Sequence, residues 1–226
     1  MPELPDVAIY AERLRALAGD GPLLSVRLLS PFLLRTVDPP LAASHGRRLV
    51  DVTRLGKRIV MELEGDLFLV IHLMIAGRLR WKKAGAPVPG RDGLAAFDFP
   101  TGSLILTEAS KKRRASLSVV AGRDGLREHD RGGVDVLGVD EATFLGTLRR
   151  ENRTLKRALT DPRLFSGIGN AYSDEILFHA GLSPVTLTSR LTDEDARRLF
   201  AHAQRVLREW TDRVRAEVGD GYPDKV

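Results

Sequence analysis

The sequence of 226 residues contains no cysteine. That excludes disulfides, thiolate metal sites and a cysteine nucleophile. Its five histidines (His45, His72, His129, His179 and His202) are scattered without metal-ligand spacing, so no metal and no cofactor is expected. No apolar run reaches the length of a membrane span, and the acidic start lacks the basic leader of a secretory signal. Aromatic residues make up only 6% of the chain. What is abundant is charge: 35 Lys and Arg against 30 Asp and Glu, a net +5. That excess permits a polyanionic partner without demanding one. The basic residues are unevenly placed. Lys111-Lys112-Arg113-Arg114 forms one block, and Arg149, Arg150, Arg153, Lys156 and Arg157 form another around Glu151. A cytoplasmic, nucleoid-associated location and a monomeric state are the expectations.

The apolar pattern divides the chain. Val7, Ala11, Leu14 and Ala18 recur at helical spacing, predicting a helix over Pro5–Ala18 stopped by Gly19. Short β-like runs follow at 23–29, 49–54, 58–63, 67–73, 78–81, 95–99, 103–107 and 116–120, separated by glycine-containing turns. Residues 82–94 read as a mobile loop, and 121–138, with five glycines, as a linker. Helical patterns then run from Asp140 to Arg150, over 154–160, over 170–180 up to Gly181 and Pro184, and from a capping box at Thr192 and Asp195 onward. Strands first and helices later predict an α+β chain: an N-terminal helix with an antiparallel β-sandwich over 1–134, then a helical domain over 135–226.

Two local features carry chemistry. The chain begins Met1-Pro2-Glu3. Removal of Met1 would leave Pro2 with a free secondary amine, and α-amino groups titrate near ~7.7–8 against ~10.4 for lysine. Such an amine attacks carbonyl-like carbons, and Glu3 stands next to it as a candidate general acid or base. Read alone, Met-Pro equally suits an extended lead into a helix. The second feature is Gly167-Ile168-Gly169-Asn170-Ala171-Tyr172 at a helix start. Glycines there bare backbone N–H groups at the positive end of the helix, a seat for phosphate, with Asn170 as helix cap and phosphate donor. The alternative is a plain helical corner.

Together, Pro2-Glu3-Leu4-Pro5, the Leu55-Gly56-Lys57-Arg58 step before a strand, His72-Leu73 followed by Gly77-Arg78-Leu79, and Gly167–Tyr172 resemble the formamidopyrimidine-DNA glycosylase and endonuclease VIII family. The resemblance runs from the first residue to about Trp210. It implies a β-sandwich and a helix-two-turn-helix domain with damaged DNA between them, in base-excision repair. Pro2 is then the nucleophile at C1′, Glu3 the acid assisting base loss, and Lys57 the lysine supporting strand cleavage. Asn170, His72, Gly167, Gly169, Tyr172, Lys156 and Arg153 fall among the DNA contacts. For Lys57 the alternative is a surface lysine opening a strand.

Departures from the family pattern shift the expected substrate. The family's His-Leu-Gly-Met reads His72-Leu73-Met74-Ile75, and its Asp-Pro-Arg-Arg-Phe-Gly loop reads Glu108 to Ser116, with Arg113 or Arg114 to supply an arginine but no phenylalanine. Met74 or Ile75 serves as an apolar wedge or as ordinary strand core. Asp6 replaces a glutamate beside the lesion pocket. The expectation is therefore oxidised pyrimidines or abasic sites over oxidised guanine. The family's four-cysteine zinc finger would begin where the sequence ends. Rival readings are a lesion-binding protein without chemistry and, more distantly, an RNA-binding module on a helix-two-turn-helix.

Overall fold

A computed structural model describes residues 1–223. Helix α1 (Leu4–Ala18) begins one residue before the predicted start and ends at Gly19, whose φ of 62° suits a residue without a side chain. Eight antiparallel strands follow: β1 (Ser25–Leu28), β2 (Leu49–Leu55), β3 (Arg58–Leu63), β4 (Leu67–His72), β5 (Gly77–Lys82), β6 (Gly93–Phe99), β7 (Gly102–Glu108) and β8 (Ser116–Ala121). They form two four-stranded sheets, β1-β6-β7-β5 and β2-β3-β4-β8. Alternation places Ile59, Met61, Leu69, Ile71 and Leu117 of one sheet against Phe97, Phe99, Leu104 and Leu106 of the other. Val7, Tyr10, Leu14 and Ala18 of α1 close the same core.

The outer face of the second sheet is also apolar. Val60, Phe68, Val70 and Val120 form a small cluster there, with Leu126 packed on it. Leu126 belongs to α2 (Gly122–Arg127), a helix inside the segment expected to be linker only. The correction has a packing cause: an apolar sheet face needs a cover. The 82–94 segment is likewise more anchored than expected. Arg27 donates to Ala86 O at 2.7 Å, Gly85 N–H donates to Ser103 Oγ at 2.9 Å, and β6 already starts at Gly93.

The remaining helices are α3 (Glu141–Leu148), α4 (Leu155–Thr160), α5 (Asn170–Ala180) and α6 (Asp193–Val218). Asp140 caps α3 by accepting Thr143 N–H at 2.9 Å, and Thr192 caps α6 by accepting Asp195 N–H at 3.1 Å. Their buried core contains Phe144, Leu148, Leu159, Phe165, Ile176, Leu199, Ala203 and Val206. One member comes from far away in sequence: Leu4, at the first turn of α1, is 1% exposed and packs into this helical core. Leu4 N–H also donates to Gly167 O at 2.9 Å. The chain's first residues are thus fastened to the α4–α5 turn. The last residues of the expected second domain, 224–226, lie outside the described residues.

Candidate active site

Five segments meet at one cleft of about 240 Å³ between the two cores. Met1 lines it from the chain start, and Leu55, Gly56, Lys57 and Arg58 from the β2–β3 turn. His72 comes from the end of β4, His129, Asp130 and Arg131 from the segment after α2, and Thr160, Pro162, Ser166 and Gly167 from the α4–α5 turn. The β2–β3 turn is tight because Gly56 takes φ 60°, which projects Lys57 into the cleft.

Glu3 is the structural centre of this arrangement. It is 3% exposed, and its carboxylate accepts three backbone N–H groups at the start of α5: Gly169 at 2.7 Å, Ala171 at 3.0 Å and Tyr172 at 3.2 Å. These are donors that a helix start leaves unpaired, at the positive end of its dipole. The expected capping by Asn170 is corrected here. Gly169 is the N-cap residue, Asn170 is the first helical residue and exposed, and the cap is supplied by a side chain 166 residues earlier. Gly169 has no room for a side chain: a Cβ there would overlap the Glu3 carboxylate and lie 2.5 Å from Lys57 Nζ. Glu3 N–H donates to Asp6 Oδ2 at 2.7 Å, so Asp6 holds the turn that presents Glu3, and burial raises the Asp6 carboxyl pKa. Pro2 lies buried between Glu3 and the cleft-lining Met1.

The cleft is cationic. Burial lowers the Lys57 ammonium pKa, with the Glu3 charge opposing that shift. His72 is pushed down to about 4 by burial and by Arg58, Lys57 and Arg131, and is therefore neutral at pH 7. Arg54, on β2, pairs with Asp135 and donates to Gly56 O at 3.4 Å, joining the sandwich to the start of the helical half. Arg54 and Arg131 were not singled out by sequence reasoning, Arg58 entered only as the last residue of the Leu55–Arg58 step, and His129 only as one of five scattered histidines. The block around Glu151 is less available than its charge suggests. Lys156 Nζ lies 2.7 Å from Asp174, and Arg153 is paired with Asp161 at 2.5 Å and with Glu151. Tyr172 is 8% exposed and packs edge-on against Trp210, so what it offers Glu3 is its backbone N–H.

The candidate wedge and void-filling segments are loops outside the cleft lining. Met74 and Ile75 occupy the β4–β5 turn, not a strand. Met74 has φ 53° and Ile75 is 61% exposed. This removes strand core as their explanation. The Ala109–Arg114 loop is held by buried Glu108, whose carboxylate accepts Arg114 N–H at 2.9 Å and Ala115 N–H at 3.0 Å. Arg113 donates to Arg91 O at 2.6 Å. Asp6, Lys57 and Gly169 therefore gather around Glu3, whereas Arg113, Arg114, Met74 and Ile75 stand on loops that do not line the cleft.

Known proteins share this layout. Residues 1–114 match the formamidopyrimidine-DNA glycosylase N-terminal domain, and 137–217 match the H2TH domain of the same enzymes. The formamidopyrimidine-DNA glycosylase of Solibacter usitatus is 30% identical over 222 residues, covering 97% of this chain and 81% of its own. That of Thermus thermophilus is 34% identical over 214 residues, covering 92% and 75%. The crystal structure of the Thermus thermophilus MutM (Fpg) protein superposes with a TM-score of 0.81 over 96% of this chain and 77% of its own, at 34% identity. A Lactococcus lactis relative, 22% identical, was solved with DNA containing an oxidised pyrimidine and shares the fold at a TM-score of 0.84, over 96% of this chain and 81% of its own. With both domains matched and the N-terminal Pro2-Glu3 pair built into the α5 turn, the chain belongs to the formamidopyrimidine-DNA glycosylase family, whose members are DNA glycosylases with AP lyase activity.

Proposed function

We propose that this chain excises oxidised bases through a covalent intermediate on Pro2, and that it prefers oxidised pyrimidines and abasic sites to oxidised guanine. One observation carries the proposal: Pro2 leads directly into a carboxylate fixed by three N–H groups of α5, at the edge of the cationic cleft. Met1 lines that cleft, so its removal opens the Pro2 nitrogen to the space Met1 fills. In the reaction the nitrogen lone pair forms a bond to C1′ and the glycosidic bond breaks, with the departing base taking a proton. The Pro2 nitrogen then gives up its proton, and its lone pair closes an iminium at C1′ as the C1′–O4′ bond breaks, with Glu3 placed to relay a proton to O4′. The resulting iminium draws electrons from C2′. Loss of a C2′ proton then expels the 3′ phosphate, with Lys57 supplying charge beside the leaving group. Extruding the nucleotide costs a few kcal/mol, least for damaged pairs.

The lesion preference is supported by the altered rim. No phenylalanine stands in the Ala109–Arg114 loop, while exposed Ile75 and neighbouring Met74 offer an apolar wedge from the β4–β5 turn. Asn170, Gly167 and His72 complete the DNA-contact set with Arg113 and Arg114, whereas the expected phosphate seat at Gly169 and Tyr172 is filled by the Glu3 carboxylate, and Arg153 and Lys156 are held by Asp161 and Asp174. The working unit is a monomer divided at residues 134 and 135, acting on DNA in the nucleoid. Borohydride added to protein starting at Pro2 with abasic-site DNA should trap a covalent adduct that Pro2→Gly and a Met1-retaining form make poorly. A panel including oxidised pyrimidine and Fapy-dG duplexes, both solved with the Lactococcus lactis relative, reads the preference. Lesion binding without an adduct from processed protein would make it a binder and overturn the reading.

A further inference from the structure

Three cations of the cleft have no ion-pair partner among the described residues: Lys57, Arg58 and Arg131. Lys57 is already accounted for beside Glu3. The other two come from opposite sides, Arg58 from the first residue of β3 and Arg131 from the segment joining the two halves. Arg58 is partly buried, and burial and the Arg131 charge together depress its pKa. Keeping a guanidinium partly desolvated and facing a second cation is costly unless an anion arrives to share it. Among the acids nearby, Asp130 offsets that charge only in part and makes no ion pair with either arginine. Glu3 is occupied by α5, and Asp130 accepts Gly132 N–H at 2.9 Å, within its own turn. His129 and His72 both have lowered pKa values and add no negative charge, and exposed Glu128 acts on His129. Arg131 also lines an adjoining open depression with Arg157 and with Arg153 and Arg163, both paired with Asp161, and the two concavities share Thr160 and Pro162 as well. Arg131 thus stands where one basic surface passes into the next.

We propose that Arg58 and Arg131 form a second phosphate seat on the linker side of the cleft, clasping a DNA backbone phosphate separate from the one beside Lys57. The assignment rests on the DNA-repair reading above, and it makes the segment between the two halves a DNA-binding element. Planar guanidinium forks are suited to a phosphate's paired oxygens, and such contacts position the duplex without reading its sequence.

The test measures dissociation constants for a duplex carrying a tetrahydrofuran abasic-site analogue at 50 to 200 mM salt. Each neutralised phosphate contributes a log–log slope of about 0.9, so the double variant Arg58→Gln/Arg131→Gln should lower the slope magnitude by about that amount and each single variant by part of it. The corresponding loss at 0.1 M salt is about eightfold. Arg58→Lys and Arg131→Lys should keep the slope. Arg205→Gln, on the exposed face of α6 where it pairs with Glu209, should leave both slope and affinity unchanged. Unaltered slopes in the glutamine variants would overturn the seat. So would equal weakening by the lysine and glutamine variants at constant slope, which marks a folding defect. Wild-type borohydride trapping, run in parallel, separates this outcome from failure of the Pro2 chemistry: an adduct with unaltered slopes sinks the seat alone.

Discussion

Replacing Glu3 by glutamine tests whether this side chain holds the two halves together as well as serving the chemistry. The substitution keeps size and one acceptor oxygen but removes the charge. With its oxygen in the place of Oε2, glutamine still meets Gly169 and Tyr172 N–H, now as neutral bonds about 1 kcal/mol weaker each. Its NH₂ then faces Ala171 N–H, donor against donor, leaving a part-buried N–H unpaired at about 1 kcal/mol. The lost charge at the α5 start is partly contained in those figures, so the net cost is about 3 kcal/mol. For a chain of this size that corresponds to roughly 6–12 °C in midpoint temperature. Scanning calorimetry of Glu3→Gln against wild type, with trapping on abasic DNA in parallel, reads both roles. A midpoint within about 2 °C of wild type would refute the claim that the carboxylate carries the α5 cap. Full trapping activity would refute its part in the chemistry.

Gly169→Ala should abolish trapping while keeping Glu3 chemically intact, because the new methyl overlaps that carboxylate and reaches Lys57 Nζ; near-normal trapping would show that the turn yields easily. His72 should titrate near 4 in the free protein by NMR, and an arriving phosphate should raise that midpoint. Since its folded pKa is depressed from 6.5 to about 4, its contribution to stability is present above 6.5 and is lost as pH falls towards 4. His72→Asn should flatten urea midpoints across that window. Glu108→Ala should cost about 2–4 kcal/mol by stranding the N–H groups of Arg114 and Ala115, and it should accelerate amide exchange over 109–115. Unchanged exchange there would mean that the loop is held by something else.

The strands were legible because each is a short apolar run bounded by glycine or charge, as in Arg58–Leu63 and Leu67–His72 around Glu64-Gly65-Asp66. The caps at Asp140 and Thr192 were legible because their partners lie three residues away. The cap of α5 was not, since its acceptor lies at the other end of the chain. The same distance hid Arg54 with Asp135, and Arg58 with Arg131: local composition marks such residues only as scattered charge. The reverse error occurred at Lys156 and Arg153. A basic run reads as an anion site until folding brings Asp174 and Asp161 against it. Helix α2 escaped notice because its six residues include two glycines, and only the apolar sheet face beneath it calls for a helix there.

The seating of Leu4 in the helical core gives assembly of this enzyme a fixed order. Residues 2–4 emerge from the ribosome first, yet the carbonyl and amides that receive them belong to residues 167–172. A growing polypeptide therefore carries these residues without their socket until the 167–172 turn has been made. The N-terminal fastening is thus completed by a later-made part of the same chain, and truncated products ending before that turn keep Glu3 without the three N–H groups that fix it.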